Sequence, residues 1–251
     1  MALVKDVFDR SFGDAGKLTV YVCDDLSHEE SLASDLRNMI ASLPVKESKD
    51  AVKGRKQKSW PLYKGRHSYM EGRALKTVPK SEVKLSYKYD IKLKNEEFVI
   101  LDILDYIMDA RCMNKIREER GGTYSVTFST EVFNEGKVAE SSIEFQTRPE
   151  MTDLLVNDAK TLVKEMAENG PAEAEFENAR KYLAKHHSEL QARYRQNLSR
   201  KLNVYMTKER YGIDKEEKYI ELLEKASIRD VRKMAAKIAK GDSMLSVYTE
   251  N

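Results

Sequence analysis

The chain has 251 residues, 41% of them hydrophobic and 34% charged, with 44 Lys and Arg against 42 Asp and Glu for a formal net charge of +2. A hydrophobic fraction of that size excludes a disordered chain and is enough for one large domain or two small ones. The near-balanced charge removes any general electrostatic reason for a nucleic-acid or membrane-surface partner, and no apolar run reaches the length of a membrane span.

Residues 1–16 read as an N-terminal extension without the basic-then-apolar pattern of a secretory leader, and fold-like sequence follows almost directly, as in an excised domain. Leu18-Thr19-Val20-Tyr21-Val22-Cys23 is a short apolar run ending at Asp24-Asp25, which predicts a strand. Ser27 and Glu30 make an S-x-x-E capping box, and Leu32, Leu36, Met39, Ile40 and Leu43 follow at helical spacing until Pro44. Residues 45–80 have no clean period. They carry Lys53, Arg55, Lys56, Lys58, Lys64, Arg66 and Arg73 around Trp60, Tyr63 and Tyr69. This irregular basic connection has two readings: a solvated segment whose aromatic rings pack down on the domain, or a stacking surface for single-stranded nucleic acid.

Val83, Leu85, Tyr87, Tyr89, Ile91 and Leu93 alternate with polar residues, the signature of a strand with one buried face. Asn95 is placed to cap the next helix, whose apolar stripe is Ile100, Ile103, Leu104, Ile107 and Met108, with Glu96 and Glu97 complementing its dipole. That helix runs to Gly121-Gly122. Tyr124, Val126 and Phe128 then alternate, Asn134-Glu135-Gly136 turns the chain, and Ile143 and Phe145 resume the pattern, which predicts a hairpin. Pro149 precedes a helix bearing Leu155, Ala159, Leu162 and Met166, stopped by Asn169-Gly170-Pro171. A second, longer helix starts near Ala172 and continues through Phe176, Ala179, Leu183, Leu190, Leu198 and Leu202 toward Tyr211-Gly212. Two more cover residues 214–225 and 228–240, the latter capped by Ser227, and Leu245-Ser246-Val247-Tyr248 is the last strand.

About five strands, and five or six helices grouped mostly after the hairpin, predict an α+β fold: a mostly antiparallel sheet with helices packed on one face. No linker demands a second domain and no repeat of 20–50 residues is present. Cys23 and Cys112 occupy apolar positions and read as buried free thiols that leave the redox compartment open.

Neither H-E-x-x-H nor the inverted H-x-x-E-H occurs, and the four histidines, His28, His67, His186 and His187, do not substitute for it. Adjacent residues on a helix point about a hundred degrees apart, so His186 and His187 do not face one metal easily. His28 and His67 are expected to be solvated. The G-x-S-x-G of a serine hydrolase and the glycine-rich phosphate loops are also missing. What stands out is Ile116-Arg117-Glu118-Glu119-Arg120-Gly121-Gly122-Thr123-Tyr124-Ser125-Val126, where an apolar helix meets a strand. On physical grounds alone the glycines supply a left-handed helix end, Arg117 favours the C-terminal dipole, and Tyr124 fills a strand face.

The same stretch resembles the R-x-x-x-x-x-x-Y motif in the C-terminal half of the pitrilysin/insulinase family of zinc metallopeptidases, the inverzincins of bacterial type. The resemblance extends from about Val83 to Val247: the alternating strand, the apolar helix, Arg117-Glu118-Glu119 with Gly122, Tyr124 and Ser125, the hairpin, Arg148-Pro149-Glu150, and Gly170-Pro171 with Glu175 and Ala179. Residues 17–44 look like the tail of the preceding homologous domain, with Cys23 where the family usually has glycine. The resemblance implies that 17–251 is a pitrilysin/insulinase-type C-terminal domain with the LuxS/peptidase-like fold, and that it is noncatalytic because H-x-x-E-H is missing. It implies no metal and no cofactor in this chain, with zinc in a peptidase domain of the same parent protein, and a peptide as substrate. Arg117 and Tyr124 would be accessory catalytic and substrate-binding residues reaching that zinc site, and the parent would belong to a bacterial periplasm or cell envelope. A purely structural, assembly-forming homologue would keep the same two residues by inheritance. An H-x-x-E-H upstream in the parent reading frame separates the two, and salt-sensitive oligonucleotide binding would mark the nucleic-acid alternative.

Overall fold

The alternating stretch predicted from Val83 to Leu93 is the centre of the sheet. In the computed structural model it forms β2, Lys80–Asp90, which directs Val83, Leu85, Tyr87 and Tyr89 into the core. The structure describes residues 3–6, 20–22, 31–43, 63–73, 78–133, 136–192, 198–214, 216 and 218–250. Its other strands are β1, Arg66–Arg73; β3, Val126–Phe133; β4, Val138–Thr147; and β5, Asp242–Glu250. They stand in the order β1-β5-β2-β4-β3. Every pairing is antiparallel except β1 with β5, so the sheet is mostly antiparallel, as expected. The register stacks apolar residues in rows across the strands: Val83 lies opposite Phe145 and Val247, and Leu85 opposite Ile143 and Leu245.

The chain divides into two compact units, residues 1–58 with 194–203, and residues 59–193 with 204–251. In the first, helix α1, Leu32–Ala41, follows the predicted apolar spacing, but none of its residues is buried. Its N-cap position is Ser31, and the predicted capping pair Ser27 and Glu30, like Cys23 and His28, lies outside the described residues. The strand expected at 18–23 is not borne out at 20–22, which have no regular structure; Val20 and Val22 are exposed, so no buried face holds them extended.

In the second unit the helices are α2, Asn95–Cys112; α3, Thr152–Asn169; α4, Glu173–Ala192; α6, Tyr219–Lys225; and α7, Ile228–Lys240, with α5, Leu198–Tyr211, shared by sequence between the units. They cover the core face of the sheet: α2 against β3, and the packed pair α3 and α7 against β2. The core draws on Ile103, Leu104 and Ile107 of α2, Leu155, Ala159 and Met166 of α3, and Val231 and Ile238 of α7. Ser227 caps α7 as expected, accepting the amide proton of Asp230 at 3.3 Å.

Two further expectations are corrected, for 45–80 and for Asn95. The segment 45–80 is not irregular throughout, because 66–73 is strand β1; Tyr63 packs down with its hydroxyl directed to Glu140, while Trp60 lies outside the described residues. Asn95 does not cap α2. It is the first helical residue, and its side-chain carbonyl instead accepts the Asp214 amide at 2.8 Å. The single long helix from Ala172 to Tyr211 is described as α4 and α5, with 193–197 between them outside the described residues. Of the histidine pair, His187 is buried and stacks on Tyr219, while His186 stacks on Tyr182, so the two rings do face different surroundings. Cys112 is a buried free thiol, and His67 is exposed.

The edge strand β3 is closed by the helix beside it. Asp109 accepts the amide proton of Phe128 at 2.9 Å and Asp105 that of Thr130 at 3.0 Å, so two outward-pointing N–H groups of an edge are satisfied by α2. This contact fixes the path of the chain from α2 into β3, and with it the corner that carries Tyr124.

Candidate functional site

At its C-terminal end α2 passes into a π-helical turn, Met113–Glu119, in which Ile116 is fully buried and anchors the turn to the core. Gly121 has φ of +60°, a conformation that costs glycine nothing. Its N–H donates to the Arg117 carbonyl at 2.9 Å and the Gly122 N–H to the Ile116 carbonyl at 3.3 Å, closing the helix as a Schellman motif widened by one residue. Gly122 is required for a different reason. A Cβ there would lie 2.6 Å from Leu155 Cδ1, so any larger residue would have to displace the buried Leu155 side chain. The Gly122 carbonyl accepts the buried Thr147 hydroxyl at 2.6 Å, which ties the corner to the end of β4.

Beyond that tie the Thr123 hydroxyl donates to the Ser125 carbonyl at 2.8 Å, and β3 begins only at Val126. Tyr124 is therefore not a strand residue sharing a face with Val126 and Phe128. It projects from the corner, 97% exposed, and its hydroxyl has no hydrogen bond among the described residues. It stands on a hollow of about 480 Å³ lined also by Lys80, Gln146 and Arg148 from the ends of β2 and β4. Arg117 is 44% exposed at its side chain, with Glu118 as its nearest carboxylate at 3.6 Å, and it does not line the hollow. No hydrogen bond or cation–π contact joins Arg117 to Tyr124 among the described residues. The other charges of the turn are engaged: Lys115 with Glu119 at 2.6 Å, and Arg120 with Asp158 at 2.7 Å.

Lys80, Gln146 and Arg148 were not marked as site residues by the sequence. The signal for them is the register, which sets Ser81 opposite Thr147 and so brings the start of β2 and the end of β4 to the glycine corner. Among the described residues no group of three or more His, Cys, Asp or Glu side chains is placed to hold a metal ion, and no helix is long and apolar enough to cross a membrane.

The fold is similar to that of solved proteases and of a peptidase domain. The chain is similar in structure to the periplasmic protease PqqL from Escherichia coli, with TM-score 0.67 and 16% identity over 89% of this chain and 24% of that one. It is similar to a protease from Helicobacter pylori with TM-score 0.65 and 12% identity, covering 88% of this chain and 52% of that one. A peptidase M16 inactive domain from Pseudomonas fluorescens matches with TM-score 0.54 and 17% identity, over 74% of this chain and 43% of that one. At such identities the likeness is one of fold, and the chain spans between a quarter and about half of these proteins. No curated protein matches the chain. The model of the family described as the peptidase M16 inactive domain matches residues 7–183, a span that holds the glycine corner, Arg117 and Tyr124, and the chain belongs to that family.

Proposed function

We propose that this chain is the non-zinc-binding half of an M16 metallopeptidase, that it helps enclose the substrate chamber, and that it supplies Tyr124 and Arg117 to a site on a zinc-bearing domain of the same parent protein. One observation carries this reading: a tyrosine held almost wholly in solvent, with a free hydroxyl, on a corner whose two ends are tied to the core. An exposed aromatic ring gains nothing from burial there, so the rigidity of the corner serves the position of its hydroxyl. A zinc ion in the other domain would supply the activated water for peptide hydrolysis. From this chain, the Tyr124 hydroxyl would donate to the oxyanion that develops on the scissile carbonyl, and the Arg117 guanidinium would grip the substrate carbonyl or orient the phenol. In the assembled site both would act as donors to the charge that builds on the substrate.

The test is steady-state peptide hydrolysis by the full-length parent beside thermal unfolding of this chain. Tyr124→Phe is expected to lower turnover on the order of a hundredfold, as loss of one oxyanion donor does. Its melting temperature should be unchanged, since the hydroxyl bonds nothing in the fold. Arg117→Ala should lower turnover and raise KM if it also holds the ground-state substrate. Unchanged kinetics in Tyr124→Phe would remove Tyr124 from catalysis and leave it a structural or merely inherited residue.

A further inference from the structure

A second cavity, of about 540 Å³, opens between the β1 side of the sheet and the helices α3 and α7. It exists because the helix layer stops short of the sheet edge: Met70 on β1 is 63% exposed. The parallel register pairs Arg66 with Ser243 and Ser68 with Leu245, which turns Arg66 toward the cavity on the same face as Leu245. Four basic side chains surround the space, the cations of Arg66, Lys160 and Lys164 and the imidazole of His67, and among the described residues no acidic one lines it. Arg66 and Lys160 have no ion-pair partner among the described residues, and Lys164 has only Glu168, at 3.8 Å between largely exposed side chains. His67 turns its Nε2 to the Lys64 carbonyl at 2.6 Å and is the least available of the four. The floor is apolar, formed by Leu85, Val163 and Leu245.

Tyr87 also lines this cavity; its ring is largely buried, and its hydroxyl, which has no hydrogen bond among the described residues, opens on the space as a donor for a ligand. Burial pushes the Tyr87 phenol up to about 12 and the Arg66 guanidinium draws it back, so the two groups lie within electrostatic reach of each other.

We infer that this cavity binds a carboxylate carried on a short apolar chain, the carboxylate between the Arg66 guanidinium and the Tyr87 hydroxyl and the chain along Leu85, Val163 and Leu245. Lys160 and Lys164 keep the mouth positive and draw the anion in. The volume lies in the range of small-ligand sites. A medium-chain fatty acid and the C-terminal residue of a peptide share this chemistry. The inference concerns this chain alone and stands whether or not Tyr124 acts in catalysis.

Isothermal titration of the whole chain tests it, with octanoate, octanol, N-acetyl-alanyl-leucine and the amide of that dipeptide as probes. One of the two carboxylates is expected to bind at a single site, weakening as salt is raised, with octanol and the amide at least about tenfold weaker. Stronger binding of octanoate assigns the site to a fatty acid, and stronger binding of the dipeptide to a peptide terminus. Arg66→Gln, at an exposed position that leaves the core untouched, should weaken binding roughly tenfold or more, the worth of a hydrogen bond to a charged group, and Tyr87→Phe severalfold. Failure of both carboxylates to bind, or full affinity retained in either variant, overturns the assignment.

Discussion

Asp105 gives the most exacting test of the fold, because its chemistry and its position make opposite demands. It lies between α2 and β3 at the end of a hydrogen-bond chain that crosses three strands: Tyr89 to Ser141 at 3.1 Å, Ser141 to Thr130 at 2.8 Å, and the Thr130 hydroxyl to Asp105 at 2.7 Å. Burial pushes its carboxyl up from 3.8 to about 7, the neighbouring Asp102 and Asp109 add to this, and the donors of Thr130 oppose it. Since the folded value lies above the unfolded one, the stability linked to this group is fully present below about pH 4. It is lost as pH rises through about 7. The full span corresponds to ~4 kcal/mol, an upper figure because Asp105 keeps some accessible surface where water relaxes the field. Asp105→Asn keeps the shape and the acceptor for the Thr130 N–H but carries no charge. Urea unfolding of both proteins from pH 4 to pH 9 should show the variant gaining on the wild type by about 1.4 kcal/mol per pH unit or less, and then a plateau above about pH 7. Taking the difference between the two curves removes the titrating groups that do not interact with Asp105. Asp105→Ala, which strands the Thr130 amide at the sheet edge, should cost about 1–3 kcal/mol even at acid pH. A difference between Asp105→Asn and wild type that does not change with pH would refute the reasoning.

Gly122→Ala should destabilise the chain by about 1–3 kcal/mol in denaturant unfolding, because the added methyl meets Leu155 Cδ1 at 2.6 Å and the buried Leu155 side chain or the corner must give way; a neutral result would mean that the surrounding side chains accommodate the methyl freely. Glu175 receives Arg111 through two bonds of 2.8 and 2.7 Å and the Ala172 amide at 2.7 Å, and the guanidinium holds its carboxyl below the ordinary glutamate value. Its contribution is therefore present above that ordinary value and lost as pH falls through the lowered one. Glu175→Gln should cost on the order of 1 kcal/mol at neutral pH after allowance for partial exposure, and progressively less as pH falls below the ordinary glutamate value, as read by melting temperature against pH.

Where local pattern and burial coincide, the sequence alone determines the element. The alternation from Val83 to Tyr89, the stripe of α2, the hairpin and the Ser227 cap are legible because each is built from neighbours in the chain and buries one face on one core. The helix end at Gly121-Gly122 is legible for the same reason: a glycine pair can end a helix by local geometry alone. Tertiary structure decided what lies between such signals. β1, Arg66–Arg73, has no apolar alternation, and its ladder comes from β5, far along the chain, as the one parallel pairing of the sheet; nothing local encodes that partner. Asn95 has the chemistry of a cap, yet Asp214 claims its side chain. Tyr124 fits the period of β3, but the tie from Thr147 to Gly122 delays that strand to Val126 and turns the ring out to solvent. Whether that tyrosine is buried or exposed depends on one hydrogen bond between residues 25 positions apart and on the close approach of Gly122 to Leu155, and side-chain period carries no information about either.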